Sequence, residues 1–296
     1  MGDLIQHGYA EVNGVRLHYA TAGRGPLMLF VHGFPQFWHA WHALLPEFGR
    51  DHHAVAPDTR GINLSGKPEG VAAYHASQLT EDLRQLIRHL GHDTCVMVAH
   101  DWGGAVAWNF ACRHPELLDK LVIINAPHPV MFARELKHNP AQRAASDYMR
   151  LLRMDKAERV LADDNFRRLT GFFREWGHAG GTRADPATIE LHKQAWAQPG
   201  ALTAGLNYYR ASPLYPPAPG EPDHLPELRA ADFTVRVPTL VIWGGSDTAL
   251  LPGLLDGLGE VVPDLRLEKI PQGSHWVVHE FPDKVTSLIR DFLGKR

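Results

Sequence analysis

The stretch His100-Asp101-Trp102-Gly103-Gly104 decides the interpretation of this chain, and it directly follows the apolar run Cys95-Val96-Met97-Val98-Ala99. It places an aspartate where a buried strand should turn sharply into a helix. The small residues Ala99 and Gly103 lie two positions before and two positions after it. This pattern is typical of a nucleophile elbow, a turn that holds a nucleophilic side chain, usually serine, at a strand end. A carboxylate nucleophile forms an ester with the carbon that it attacks. The identity of residue 101 therefore favours reactions that proceed through such an ester.

Asp101 also has a simpler interpretation, because aspartate is a favoured N-cap at the start of a helix. The third residue after it is Gly104, whereas a capping box has Glu or Gln at that position. We therefore expect a nucleophile and keep the N-cap as the alternative.

Length, composition and charge restrict the class of protein. The 296 residues are enough for one large α/β domain or for a core domain with an insertion. The chain is 44% hydrophobic, which supports a sizeable core. Its formal net charge of −3 provides no basic surface, so we expect no nucleic-acid partner. The 19 histidines form no His-Glu-x-x-His or similar pattern, so we expect no metal.

Three features predict a cytoplasmic protein that neither spans nor is anchored to a membrane. The two cysteines, Cys95 and Cys112, show neither metal-ligand spacing nor a disulfide framework, which suits a reducing compartment. The first six residues lack the basic region and the long apolar stretch of a signal peptide. No apolar run approaches the roughly 18 residues that a membrane-spanning helix needs.

Strands and helices alternate from residue 9 to about residue 126. Apolar runs and alternating patterns predict strands at 15–19, 27–31, 53–57, 95–99 and 121–124, with helices at about 77–90 and 103–113. Buried strands that alternate with helices predict an α/β fold with a mainly parallel sheet covered on both faces. The functional site of such a sheet lies at the carboxyl ends of its strands.

The pattern changes after residue 129. Residues 130 to about 212 have helical periodicity without a convincing strand, and the proline-rich stretch 213–219 follows. Strands at 239–243 and 265–270 and a helix at about 283–293 then complete the pattern. We therefore predict a core domain of residues 1–129 and 230–296, interrupted by a helical lid (cap) of residues 130–229.

Four segments at successive strand ends fit together chemically. In His32-Gly33-Phe34-Pro35, glycine permits a tight turn that leaves the Phe34 backbone N–H free to point into the site. This N–H and the Trp102 N–H, at the start of a helix, would together form an oxyanion hole beside Asp101.

The remaining two segments are Gly244-Gly245-Ser246-Asp247 and Gly273-Ser274-His275-Trp276, each after a predicted strand. They supply a carboxylate and an imidazole, and the chain order nucleophile, acid, histidine is that of the α/β-hydrolase fold. Gly-Gly-Ser-Asp is also ordinary turn chemistry, and His275 could be a simple loop histidine. All four segments in order nevertheless predict the catalytic triad Asp101, Asp247 and His275.

With these motifs the sequence resembles the α/β-hydrolase superfamily over nearly its whole length, and within it the soluble epoxide hydrolases. The matching pieces are 32–35 with Trp38 and Trp41 behind it, Asp58-Thr59-Arg60-Gly61, 100–104, and Leu206-Asn207-Tyr208-Tyr209-Arg210. One departure is Asn63, where many relatives have a second glycine. We expect little consequence from it.

The resemblance implies that an epoxide is opened to a vicinal diol through an ester on Asp101. Water activated by His275 and Asp247 then hydrolyses that ester, with no metal or organic cofactor. It further implies that Tyr209 donates a proton to the epoxide oxygen, as a phenol can at neutral pH. Tyr148 is the best candidate for a second donor, and its packing in a helix is the alternative. Trp38 is expected to contact the substrate.

The lid aromatics favour a small apolar substrate, although they could equally pack the lid onto the core. They are Phe172, Phe173, Trp176 and Trp196.

The main rival is a dehalogenase with the same aspartate nucleophile. Haloalkane dehalogenases share a tryptophan at the position of Trp102, but they usually have a halide-binding Asn where this chain has Phe34. Haloacetate dehalogenases bind the substrate carboxylate with two arginines, where this chain has Trp102 and Ala105. A serine esterase is disfavoured because residue 101 is not Ser. A non-catalytic binding protein on the same scaffold is disfavoured by the intact triad.

Overall fold

The carboxyl ends of six parallel strands form the edge of the sheet at which the motifs meet. The computed structural model describes residues 5–175, 181–218 and 220–294. Its sheet has eight strands in the order β1-β2-β4-β3-β5-β6-β7-β8. The strands are β1 (Gln6–Val12), β2 (Val15–Ala22), β3 (Leu27–Val31), β4 (His53–Pro57), β5 (Cys95–His100), β6 (Leu118–Ile124), β7 (Thr239–Gly244) and β8 (Leu265–Ile270).

Strands β3 to β8 are parallel to one another. Strand β2 pairs antiparallel with both β1 and β4. This arrangement confirms the predicted α/β class with its mainly parallel sheet. Strand β1 was not predicted. Only Ala10 and Val12 of its seven residues are buried, so the sequence lacks the apolar run that marks an interior strand.

The three helices whose limits were predicted, at about 77–90, 103–113 and 283–293, begin and end within a few residues of those limits. They are α1 (Leu44–Phe48), α2 (Ala76–His89), α3 (Trp102–Arg113), α4 (Pro129–His138), α5 (Pro140–Ala145), α6 (Tyr148–Arg153), α7 (Ala157–Gly171), α8 (Pro186–Trp196), α9 (Ala201–Ala211), α10 (Leu258–Val261), α11 (Val277–Glu280) and α12 (Pro282–Gly294). Helix α7 is interrupted at residues 163–166, whose backbone is not helical. Among the described residues, no helix is both long and apolar enough to cross a membrane.

The core has two layers because the central strands alternate their side chains between the two faces of the sheet. In β3, Leu29 and Val31 pack with α2 and α3, whereas Met28 and Phe30 pack with α1 and α12. Every residue of β3 and of β5 is buried. The strand ends that bear the motifs are therefore rigidly placed.

Between β6 and β7 the described residues form helices α4 to α9 and no strand. Hydrogen bonds join this helical segment to loops that follow β3 and β4. The Trp196 indole donates to the Pro35 carbonyl at 2.6 Å, and the Tyr208 hydroxyl donates to the Arg60 carbonyl at 2.8 Å. Helices α8 and α9 thus lie over the carboxyl edge of the sheet.

Candidate active site

Asp101 lies at a left-handed turn between β5 and α3, with φ of 51° and ψ of −124°. L-residues other than Gly rarely adopt such a conformation, and it tends to persist at functional sites. The turn fits only because Gly103 has no side chain. A Cβ there would lie 2.2 Å from the Val31 carbonyl oxygen.

The carboxylate of Asp101 binds the loop after β3. Its Oδ1 accepts the backbone N–H of Phe34 at 2.8 Å. Gly33 allows this approach, since a Cβ there would lie 2.1 Å from the same oxygen. Within the described residues, the side chain makes no capping hydrogen bond to α3, so the simple N-cap interpretation is wrong. Trp102 begins α3, and donation by its amide to an oxyanion stays a prediction.

His275 joins two carboxylates in the loop after β8. Its Nδ1 lies 2.8 Å from Asp247 Oδ2, and its Nε2 lies 3.5 Å from Asp101 Oδ2. The Asp247 side chain is fully buried, whereas those of Asp101 and His275 are 14% and 12% exposed. The three residues predicted as a triad are thus brought together, with the imidazole in the middle.

Asp247 is held from three sides. Its Oδ1 accepts the amides of Ala249 and Leu250 at 2.8 and 2.9 Å, and its Oδ2 accepts Asn125 Nδ2 at 2.7 Å. Burial alone would raise the pKa of Asp247, but the neighbouring His275 and these donors outweigh burial and hold the pKa below its usual value. Asp247 is therefore a fixed anion.

Sequence reasoning missed Asn125. This buried residue directly follows β6, and its Oδ1 accepts the Gly244 amide at 2.9 Å while its Nδ2 binds Asp247. It therefore joins the ends of two neighbouring strands and orients the acid. The available signal was a polar residue at a strand end, as for the triad residues.

The two carboxylates determine the charge of His275. Burial is the largest single effect and would lower the pKa of His275, but Asp247 and Asp101 together outweigh it and raise the pKa to about 10. His275 is therefore an imidazolium at neutral pH while Asp101 is ionised. A pKa raised above the ordinary 6.5 stabilises the fold most below that pH, and this stabilisation is lost as pH rises through about 10.

Tyr209 on α9 and Tyr148 at the start of α6 both face Asp101. The Tyr209 ring contacts the rings of Phe34 and Trp102 edge-on, with centroids 5.6 and 4.9 Å away. The Tyr148 and Tyr209 ring centroids are 6.3 Å apart. Burial, followed by nearby groups that include the Asp101 carboxylate, raises the pKa of both phenols above the ordinary value. Both are therefore protonated.

Arg153 was also not anticipated. Its guanidinium donates to the carbonyl oxygens of Tyr209 and of Ser212, the latter at 3.0 Å. It therefore ties α6, which carries Tyr148, to the end of α9, which carries Tyr209.

Two cavities share Asp101, Tyr148 and Tyr209 in their walls. One has a volume of about 220 Å³, and its further walls are mostly apolar, including Val106, Phe132, Met149, Leu228 and Phe233. The other has a volume of about 330 Å³ and is also lined by Phe34, Phe172, His275 and Trp276. A ligand in either cavity therefore reaches the carboxylate and both phenols.

Trp38 is the one predicted site residue that the structure places elsewhere. It lines neither cavity, and its ring packs edge-on against His7 at a centroid distance of 5.0 Å. Its contact with substrate stays a prediction, which neither cavity supports.

The lid aromatics divide between the two proposed roles. Phe172 lines the larger cavity, whereas Phe173 stacks on Trp196 at 5.9 Å and packs within the fold. Trp176 lies outside the described residues. Among the described residues, no group of three or more His, Cys, Asp or Glu is placed to hold a metal ion.

Comparison with known proteins identifies the family. Residues 26–282 match the family described as alpha/beta hydrolase fold. The chain belongs to this family. Epoxide hydrolase 3 of Xenopus tropicalis is 36% identical to this hydrolase over 297 residues, which cover 97% of this chain and 78% of that protein.

Two further comparisons bear on the chemistry. The solved structure of a Bacillus megaterium epoxide hydrolase with an inhibitor matches with a TM-score of 0.90 and 37% identity, covering 97% of this chain and all of that one. A fluoroacetate dehalogenase from a Burkholderia species is 29% identical over 297 residues, covering 96% of this chain and 92% of that protein. The predicted fold and the resemblance to epoxide hydrolases are thus confirmed.

We expect Asp101→Asn to lower the pKa of His275, because it removes one of the two carboxylates that hold the imidazolium. The titration midpoint should move down by at least about one pH unit from the value near 10. The ¹⁵N chemical shifts of the His275 ring, followed from pH 6 to 11, measure this change. Asp256→Asn, in the turn before α10, serves as control. An unchanged midpoint in Asp101→Asn would show that the two groups are not coupled.

Proposed function

We propose that this hydrolase opens epoxides to vicinal diols through a covalent ester on Asp101. The observation that carries the proposal is the placement of two protonated phenols and a carboxylate on the same cavities. A carboxylate alone suits many leaving groups, but phenols aimed at the same space suit a leaving group that departs as an alkoxide.

In the first step, Asp101 attacks an epoxide carbon and the carbon–oxygen bond of the ring breaks. The epoxide oxygen takes a proton from Tyr209 or Tyr148, which leaves a phenolate. Since Oδ1 is held by the Phe34 amide at 2.8 Å, we assign the attack to Oδ2, which has the longer contact of 3.5 Å with His275 Nε2. The product of this step is an ester whose carbonyl oxygen lies in the predicted oxyanion hole.

Ester formation also prepares the base for the second step. It removes the negative charge of Asp101, which helped to raise the pKa of His275. The imidazolium can then release its proton, and that proton restores the phenolate to a phenol. The net result is a neutral His275 beside the ester, with the Asp247 carboxylate still orienting its ring.

In the second step, His275 takes a proton from water, and the resulting hydroxide attacks the Asp101 carbonyl carbon. The oxyanion is stabilised by the Phe34 amide and, we expect, by the Trp102 amide. Collapse expels the diol oxygen, which takes the proton of the newly formed carboxylic acid. Asp101 returns as a carboxylate and His275 as an imidazolium, which is the starting state.

The walls of the smaller cavity suit a small substrate with an apolar substituent. None of the described residues that line the two cavities is Arg or Lys. The one charged histidine among these residues, His275, is already paired with Asp247 and Asp101. A haloacid would therefore lack an unpaired cation for its carboxylate, which disfavours the dehalogenase alternative.

We further infer that residues 130–229 act as the lid over a core of residues 1–129 and 230–296. Both phenols come from helices of this segment, and its Trp196 and Tyr208 bind core loops. The cytoplasmic location stays a prediction.

A panel of terminal and internal epoxides, assayed beside chloroacetate, fluoroacetate and 1-chlorobutane, tests the reaction. We expect diol from the apolar epoxides and no halide release above that of the Asp101→Asn variant. Halide release without diol formation would contradict the proposal and favour the dehalogenase.

Tyr209→Phe and Tyr148→Phe should each slow ester formation by about 10-fold or more, because each removes a proton donor. Ester hydrolysis needs one phenolate to accept the His275 proton, and the tyrosine that remains in each variant can supply it. This step should therefore change by less than about twofold. Rapid-quench mass spectrometry of the enzyme separates the two steps. Tyr208→Phe is the matched control, since that hydroxyl binds the Arg60 carbonyl. Equal rates of ester formation in all three variants would exclude the phenols as donors.

A further inference from the structure

Buried polar side chains hold the His275 loop, and the mechanism above does not use them. Before His275, the carboxylate of Glu280 accepts two hydrogen bonds from Ser274. Oε2 accepts the Ser274 amide at 2.7 Å, and Oε1 accepts its hydroxyl at 2.9 Å. The Ser274 hydroxyl oxygen in turn accepts the Trp276 amide at 3.1 Å. Glu280 is only 3% exposed, so a buried carboxylate is committed to the residue next to the base.

After His275, the loop is bound by His100, the last residue of β5. His100 Nε2 lies 2.9 Å from the His275 carbonyl oxygen. Burial, and next the charge of His275, lower the pKa of His100 to about 4, so this ring is neutral and carries one N–H. Because a carbonyl only accepts, that N–H is on Nε2. The Nδ1 atom is buried with no hydrogen-bond partner among the described residues.

The contacts of Glu280 and His100 bear on the orientation of the His275 ring. Once Asp101 is esterified, the carboxylate that still holds His275 is Asp247, at Nδ1 only, and a ring held at one atom can tilt about that point. A general base must lie within hydrogen-bonding reach of its water, and small displacements are costly. Fixing the backbone on both sides of the residue restricts this tilt.

We propose that Glu280 and His100 are positioning residues that fix the backbone on the two sides of His275, at the Ser274 amide and at the His275 carbonyl, and keep its Nε2 aimed at the Asp101 ester. His100 directly precedes Asp101, so the strand that carries the nucleophile also holds the loop that carries the base. This inference rests on the role of His275 in the proposed function.

Glu280→Gln tests the proposal with little change of shape. The amide can accept only one of the two Ser274 donors, because its other terminal atom is itself a donor. The backbone carbonyl of Glu280 accepts the Thr182 amide at 2.9 Å, and this contact is kept. We expect ester hydrolysis to slow by about 10-fold or more and ester formation to change by less than about twofold. The ester should then accumulate in rapid-quench mass spectra.

Matched variants separate positioning from stability. Ser274→Ala should slow the same step, and the double variant should be no slower than the slower single one, because both act through one contact. His100→Gln, which keeps an N–H donor, should retain more of the hydrolysis rate than His100→Phe. Glu260→Gln, an exposed glutamate of α10, should leave both steps unchanged. If Glu280→Gln does not fold, Ser274→Ala and the two His100 variants make the same comparison.

The outcomes are distinguishable. Equal slowing of both steps in Glu280→Gln, or a loss of active fraction alone, would mean that Glu280 only stabilises the fold, and the inference would be overturned. Absence of any ester in the wild-type protein would overturn the proposed function, and this inference with it.

Discussion

The left-handed turn at Asp101 is the constraint on which the rest of the site depends. It holds a carboxylate above the sheet edge only because Gly33 and Gly103 let the neighbouring chain approach without side chains. The same approach brings the Phe34 amide to the carboxylate. The same two glycines therefore permit three things: the strained backbone at Asp101, the close packing of strands β3 and β5, and the position of the predicted oxyanion donor. A larger residue at either glycine would disrupt all three.

Electrostatic coupling among Asp247, His275 and Asp101 sets the order of the proposed steps. With two carboxylates beside it the imidazole holds a proton, and with Asp101 esterified it has only one. In the proposed reaction, the negative charge with which Asp101 attacks is thus the same charge that keeps the base protonated until an ester exists. Asn125 and the amides after Asp247 stabilise the remaining carboxylate throughout.

Much of this arrangement could be predicted from the sequence because parallel strands deliver whatever follows them to one edge. Phe34, Asp101 and Asp247 each follow a buried apolar run, and His275 follows the alternating, mostly unburied strand β8, so period and turn signals were sufficient. Strand β1 was not predicted because an exposed edge strand has no continuous apolar run. Asn125 escaped because its role depends on β6 lying beside β7, which is a property of the sheet order.

Side-chain direction in the helical segment was harder to predict. Tyr148 could be named as a candidate, but only the packing of α6 against α9 places it beside Tyr209. Trp38 shows the opposite case, since it follows a motif along the chain but packs its ring against His7 and lines neither cavity. Chain position sets which residues are near an edge, and helix packing sets which of them face the reacting atoms.

The central claim is the ester on Asp101, and single turnover in ¹⁸O-water tests it most directly. Enzyme in excess over an apolar terminal epoxide is quenched after one turnover, and both the diol and the peptide containing Asp101 are weighed by mass spectrometry. The account predicts an unlabelled diol and one ¹⁸O atom in the Asp101 carboxylate, because water attacks the carbonyl carbon. A labelled diol with an unlabelled Asp101 would show direct attack of water on the epoxide and would contradict the account.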